Sequence, residues 1–291
     1  MIIHTLKEQG KIHPPHWLIN NVQYLTIIGS EAYGVTKDES DHDIYGFVIP
    51  PKEEIFPHLK GEIPGFGKHF RRFEQWEEHH ILHNGKQYDF TVYSIVKYFQ
   101  LCMENNPNII DSLSTPQNCV IHITQIGQMV RENRKMFLHK GVWHKFKGYA
   151  YSQMHKMKSK ERDGKRKEMV DKYGYDVKFA YHIVRLLNEV EQILIEGDLD
   201  LQRNNEQLKS IRRGEWSEQQ IIDYFNAKEK HLEELYTKST LPNLPDEQRI
   251  KALLLQCLEQ HYGSLDKVVI TTDKYEQALR QISEICKSLG M

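Results

Sequence analysis

Asp41 and Asp43 stand two residues apart at the mouth of a β-rich run, Ile44 to Ile49. Residues i and i+2 of a strand point to one side, so both carboxylates face the same space and His42 faces away. Two carboxylates aimed into one space repel each other unless a cation lies between them. Hard oxygen donors of this kind suit Mg²⁺, which keeps part of its shell for waters and substrate phosphates. Upstream, a second β-rich run, Tyr24 to Ile28, ends abruptly in Gly29-Ser30, and a polar turn, Thr36 to Ser40, joins the two runs. Gly29 has no Cβ and Ser30 carries a hydroxyl, so backbone N–H groups at this corner can approach a phosphate closely. A phosphate cradle and a metal pair in one hairpin form a nucleotide-handling arrangement.

Other residues with chemistry lie further along. Asn84-Gly85 is a strong hairpin signal that favours a type I′ turn. Counting through that turn pairs His83 with Lys86, and hence His80 with Asp89. On the second strand of this hairpin Tyr88, Phe90 and Val92 share one face, and Asp89, Thr91 and Tyr93 share the other. His79, His80 and His83 raise the question of zinc. No cysteine or carboxylate completes a tetrahedral set at familiar spacing, and a polar edge strand facing solvent or RNA is the better reading. Between 173 and 197, Ala180, Ile183, Val184, Leu187 and Val190 build the apolar stripe of a core helix capped by Asp176. Lys178, His182 and Arg185 recur at i, i+4 and i+7 on a different stripe.

These residues resemble a known superfamily. Gly29-Ser30, ten residues and then Asp41-x-Asp43 is similar to the signature of the polymerase-β-like nucleotidyltransferases. The longer string G-S-x-A-Y-G…S-D-x-D-x-x-G-x-x-x-P-P resembles the branch of predicted nucleotidyltransferases found beside RNA ligases in phages and bacteria. ENNPNIIDSL at 104–113, YDVKFAYHIVRLL at 175–187 and IRRGEWSEQQI at 211–221 extend the likeness over residues 20–250. The resemblance implies an α+β protein with an N-terminal mixed-sheet, palm-like nucleotidyltransferase domain followed by a mainly helical C-terminal domain. It implies that Asp41 and Asp43 bind two divalent ions, Mg²⁺ or Mn²⁺, and that Asp89 shares the ion that activates the acceptor hydroxyl. Gly29 and Ser30 would hold the β- and γ-phosphates of an NTP. Lys178, His182 and Arg185 would form a wall facing the triphosphate. An RNA 3′ end, such as that of a damaged tRNA, is the acceptor suggested by the company of RNA ligases. Transfer to a protein or small-molecule hydroxyl is the alternative, and nucleotide or RNA binding without catalysis is a third reading. Three clustered carboxylates retained without a metal cost stability, which speaks against the third.

The bulk properties bound the rest. The 291 residues suffice for one large or two ordinary domains. With 39 basic against 40 acidic residues, any nucleic-acid surface must be local. No apolar run reaches membrane-span length, the first residues lack a signal-peptide core, and the four cysteines, with no C-x-x-C pairing, read as free thiols of a cytoplasmic protein. The domains are expected at 1–138 and 139–291, with a hinge within 133–141. A short lead-in helix is expected over 14–22, a helix around 122–136, and proline-punctuated residues 241–248 lead into another helix at 247–261. The basic tract of 151–172 serves either as a solvated face or as a collector of nucleic-acid backbone. Arg203, Arg212 and Arg213 could reach a polyanion, but the sequence does not orient them. The tail, 263–291, offers a short apolar run and a capped helix with no assigned role, and oligomeric state has no signature here.

Overall fold

The computed structural model describes residues 1–36, 41–63, 65–67, 72–158 and 164–265, with 279, 282–283 and 285–286. The protein is α+β, built on one five-stranded mixed sheet. Chain order is α1 (Ile2–Glu8), β1 (Val22–Ile28), β2 (His42–Val48), α2 (Lys52–Ile55), β3 (Gln75–His83) and β4 (Lys86–Ser94). There follow α3 (Ile95–Met103), α4 (Pro107–Ser114), β5 (Val120–Ile123) and α5 (Gln125–Glu132). The remaining helices are α6 (Gly141–Lys158), α7 (Lys165–Tyr173), α8 (Val177–Glu196), α9 (Asn205–Arg212), α10 (Glu218–Lys238) and α11 (Glu247–Tyr262).

Strand order is β3-β4-β2-β1-β5. β1 pairs antiparallel with β2 and β5, β3 antiparallel with β4, and β2 parallel with β4. The β3–β4 hairpin turns at Asn84 and Gly85, both at positive φ (50° and 75°), as a type I′ turn requires. Alternation along the strands gives the sheet two covered faces. Leu25, Ile44, Val48, Phe90 and Val92 pack with Ile3 and Leu6 of α1, whereas Tyr24 and Phe47 pack with Phe99 of α3, Ile109 of α4 and Leu253 of α11. A third cluster lies among α6, α8, α9 and α10 and reaches Ala32, Tyr33 and Val35 in the loop after β1.

Local rules account for the element ends. Ser94 caps α3, Asp176 caps α8, Asp246 caps α11, and Ser217 with Gln220 forms a capping box on α10. Two expectations change. Residues 14–22 hold a single 3₁₀ turn, Ile19–Asn21, because Pro14 and Pro15 hold their predecessors out of the helical region. The helix expected around 122–136 is preceded by strand β5 and starts at Gln125; four apolar-rich residues carry too short a period to tell strand from helix. Asn106-Pro107 also starts a helix: Asn106 accepts from the Asn108 N–H and Pro107 takes the first helical position of α4. The apolar run of the tail, the onset of its helix, residues 68–71 and the middle of the basic tract lie outside the described residues.

Candidate active site

The sheet brings the polar residues together at one end. Ile28, the last residue of β1, pairs with Asp43 of β2, and Asp43 pairs in turn with Asp89 of the parallel strand β4. The two aspartates therefore lie at the same level of adjacent strands and on one face, about 4.7–4.9 Å apart in the strand-to-strand direction. Asp41 precedes β2 and is exposed at its mouth. His42, between the aspartates, turns to the other face, stacks on Tyr88 with ring centroids 5.2 Å apart and lies 3.2 Å from Glu31.

Gly29 sits against Asp43. Its φ is +79°, a conformation that favours glycine, and a Cβ placed there would lie 2.9 Å from Asp43 Oδ2, so a side chain would displace that carboxylate. The following loop folds back on itself: the Tyr33 N–H donates to the Gly29 carbonyl (3.1 Å) and the Val35 N–H to the Ser30 carbonyl (2.9 Å). Burial, followed by the neighbouring Asp89 carboxylate, pushes Asp43 up to about 6, with Asp41 adding to the rise and Lys178 and His79 opposing it. The site thus holds more negative charge than it neutralises. An oxygen-only donor set with surplus negative charge fits a hard divalent cation. Among the described residues no group of three or more His, Cys, Asp or Glu side chains is placed to hold a metal ion by itself.

Asp89 is held from the edge strand. The β3–β4 register slips between Glu78 and Ile81, placing a bulge opposite Asp89, with His80 at φ +60°. The bulged His80 N–H donates to Asp89 Oδ1 at 2.5 Å, and Gln87 Nε2 donates to Oδ2 at 3.4 Å. The count through the turn holds as far as Ile81 against Tyr88; at the bulge His80 leaves the ladder, and it meets Asp89 through its backbone N–H.

Opposite the carboxylates stands the N-terminal half of α8. Asp176 accepts from the N–H groups of Lys178 (2.9 Å) and Phe179 (3.3 Å). Lys178 is exposed on the first turn, and its charge reaches Asp43. His182, one turn on, is half-buried; burial first, then Arg185, Lys178, Arg166 and Arg212, pushes it well below the usual imidazole range, so it stands neutral at neutral pH. Arg166 lies over the Phe179 ring at 4.4 Å and 3.4 Å from Asp176. Arg212 donates to the Val35 carbonyl at 2.5 Å and lies over Tyr181 at 5.2 Å. Three cations, Lys178, Arg166 and Arg212, thus stand around one neutral histidine beside the carboxylates, with Arg185 deeper in the fold.

Arg185 does not share that wall. It is 5% exposed, ion-paired with Asp111 and with Glu189 at 2.9 Å, and its guanidinium covers Tyr33 at 4.3 Å. The Tyr33 hydroxyl donates to Asp111 Oδ2 at 2.7 Å. Burial pushes Asp111 and Glu189 above their ordinary values, against the pull of Arg185, and Asp111 adds to the rise at Glu189. The helical stripe points Arg185 the same way as Lys178, but two turns deeper α8 is enclosed by α6, α9 and α10, so the guanidinium meets buried carboxylates instead of a cleft. Arg185 and Arg212 together hold the loop that carries Gly29 and Ser30. The sequence strings contain the clamp as Tyr33, Asp111 and Arg185, but only the fold shows them in contact. Arg166 carried no individual signal within its basic tract.

The sequence matches the profile of RlaP, the RNA repair pathway DNA polymerase beta family, over residues 3–260. No curated protein matches it. Among solved structures, the chain is similar to a nucleotidyltransferase-like protein from Exiguobacterium sibiricum, with 12% identity and a TM-score of 0.30 over 91% of this chain and 76% of that one.

Proposed function

The chain belongs to the RNA repair pathway DNA polymerase beta family and is a nucleotidyltransferase, and we propose that it moves an NMP from an NTP to the 3′ hydroxyl of an RNA. The observation that carries this reading is the register of Asp43 against Asp89, with Gly29 against the Asp43 carboxylate. Asp41, Asp43 and Asp89 are the residues that would hold Mg²⁺ or Mn²⁺. Two such ions, when bound, supply charge neutralisation at the attacking and leaving oxygens.

The protein's own part is positioning and electrostatics. The backbone at Gly29 and Ser30 receives the β- and γ-phosphates, because no Cβ bars their approach. Lys178 offsets the charge that builds on the leaving pyrophosphate. His182, kept neutral by burial and then by the surrounding cations, donates or accepts a hydrogen bond without adding charge. Arg185 and Arg212 keep the Gly29-Ser30 loop in place from behind. In the reaction the acceptor oxygen bonds to the α-phosphorus, the α–β anhydride bond breaks, and pyrophosphate leaves. The hydroxyl proton passes to Asp89 or to water.

The test is the fate of label. The protein is incubated with each α-labelled NTP, Mg²⁺ or Mn²⁺, and a mixture of total RNA, protein and small-molecule extract. Label in RNA supports the proposal. Label confined to protein or small molecules would replace the acceptor, and its absence everywhere would leave the carboxylates without the role assigned to them.

A further inference from the structure

The lateral order of the strands fixes an axis through the site. Gly29-Ser30 lies at the end of β1, Asp43 on the neighbouring β2, Asp89 on β4, and the bulged β3 forms the sheet edge beyond. In phosphoryl transfer the attacking and leaving oxygens lie roughly in line on opposite sides of the phosphorus. If pyrophosphate leaves over β1 toward Gly29 and Lys178, the attacking hydroxyl must come from the side of β4 and β3.

On that side the edge strand opens a groove of about 420 Å³ lined by Lys11, Glu78, His79, His80, Ile81 and Leu82. This lies within the size range of small-ligand sites, roughly 300–1,000 Å³. Its wall is shared with the active site, since His80 also donates its N–H to Asp89. Lys11 is exposed and donates to the Leu82 carbonyl at 2.7 Å; among the described residues it has no carboxylate partner. Glu78, the groove's acidic residue, accepts from the His13 N–H (2.6 Å) and from Trp76 Nε1 (3.2 Å), so its carboxylate is turned to protein donors. His79 and His80 are exposed, with the Gln87 amide nitrogen 3.1 Å from His80 Nδ1; Ile81 is a buried floor, and Leu82 is 67% exposed. A lysine with no carboxylate partner among the described residues, two imidazoles and an apolar surface suit a phosphodiester and the base attached to it.

We propose that this groove seats the 3′-terminal nucleotides of the RNA acceptor, with Lys11 on a backbone phosphate and the bulge aiming the terminal hydroxyl at Asp89. The inference rests on the nucleotidyl-transfer reading for its direction, but it is tested by binding. A lysine and a bulge can also serve to keep an edge strand from pairing with another chain; that role alone would leave RNA contacts unaffected by Lys11.

The experiment uses a short single-stranded RNA carrying 4-thiouridine next to its 3′ end, photo-crosslinked to the full chain and mapped by mass spectrometry. Anisotropy titrations of wild type and Lys11→Glu accompany it at several salt concentrations. Crosslinks are expected at residue 11 or 78–82. Lys11→Glu should weaken RNA binding at least roughly tenfold and lower the salt slope by about 0.7, the share of one phosphate contact on a single strand. Binding of a non-hydrolysable NTP should not change. Crosslinks found only elsewhere, RNA that does not bind, or a Lys11→Glu variant with wild-type RNA affinity would overturn the groove. RNA that crosslinks in the groove yet is never extended would uphold it and remove the catalytic reading instead.

Discussion

Asp43 should make the metal-free protein less stable, and removing its charge should stabilise the fold while abolishing the activity. Its carboxyl is moved from 3.8 to about 6 by burial and then by Asp89. The folded-state value lies above the unfolded one, so the fold favours the protonated form. That contribution is fully present below about pH 4 and is lost as pH rises through about 6. A shift of this size corresponds to a penalty of about 3 kcal/mol for the ionised folded form near neutral pH, at about 1.4 kcal/mol per pH unit. Asp43→Asn keeps the shape and cannot ionise. In EDTA at neutral pH the variant should exceed wild type by about 1–3 kcal/mol in urea denaturation, and by roughly 3–8 °C in Tm. Near pH 4 the gap should shrink below about 1 kcal/mol. Mg²⁺ should raise the Tm of wild type and do little for the variant. An Asp43→Asn protein that is less stable than wild type at neutral pH, or a gap that does not change with pH, would refute the electrostatic picture of the site.

Three further outcomes follow from particular contacts. Gly29→Ala must carry a side chain at φ +79° and 2.9 Å from Asp43 Oδ2; it should cost about 1–2 kcal/mol in denaturation and on the order of 10²-fold in transfer rate by displacing the carboxylate. Arg185→Ala should cost about 3–5 kcal/mol by leaving Asp111 and Glu189 buried without their cation, measured by urea denaturation. NTP affinity should fall with it as the Tyr33 loop loosens. Lys178→Ala, at an exposed position, should leave Tm unchanged and raise KM for NTP roughly 10–100-fold, the value of a charge-assisted contact. A KM equal to that of wild type would take Lys178 off the phosphate wall.

What the sequence made legible was whatever local spacing encodes. Period two in the strands puts Asp43 on the side opposite His42, and the Asn84-Gly85 turn sets the register as far as Ile81 against Tyr88. Both are consequences of backbone geometry within a few residues. The pairing of Asp43 with Asp89 joins parallel strands that are not sequential neighbours, and no local rule supplies that register; it came from the likeness of the motifs. Helical period aligned Lys178, His182 and Arg185 correctly along α8 but could not tell where other helices would close over that stripe. Arg185 therefore joins Tyr33, Asp111 and Glu189 in the interior. The bulge at His79-His80 was invisible for a similar reason, since an extra residue in a strand leaves the composition unchanged. Strand β5 was too short to show a period.

The proposed role of Asp43, paired with Asp89 and set against Gly29, is nucleotidyl transfer to an RNA 3′ hydroxyl. It is tested by single-turnover transfer from an α-labelled NTP in Mg²⁺ to RNA with an intact 3′ end and to the same RNA after periodate oxidation, by wild type and by Asp43→Asn. Label is expected on intact RNA with wild type only, and none on oxidised RNA, while the folded variant still binds NTP. Equal labelling by wild type and Asp43→Asn, or labelling of the oxidised RNA, would contradict it.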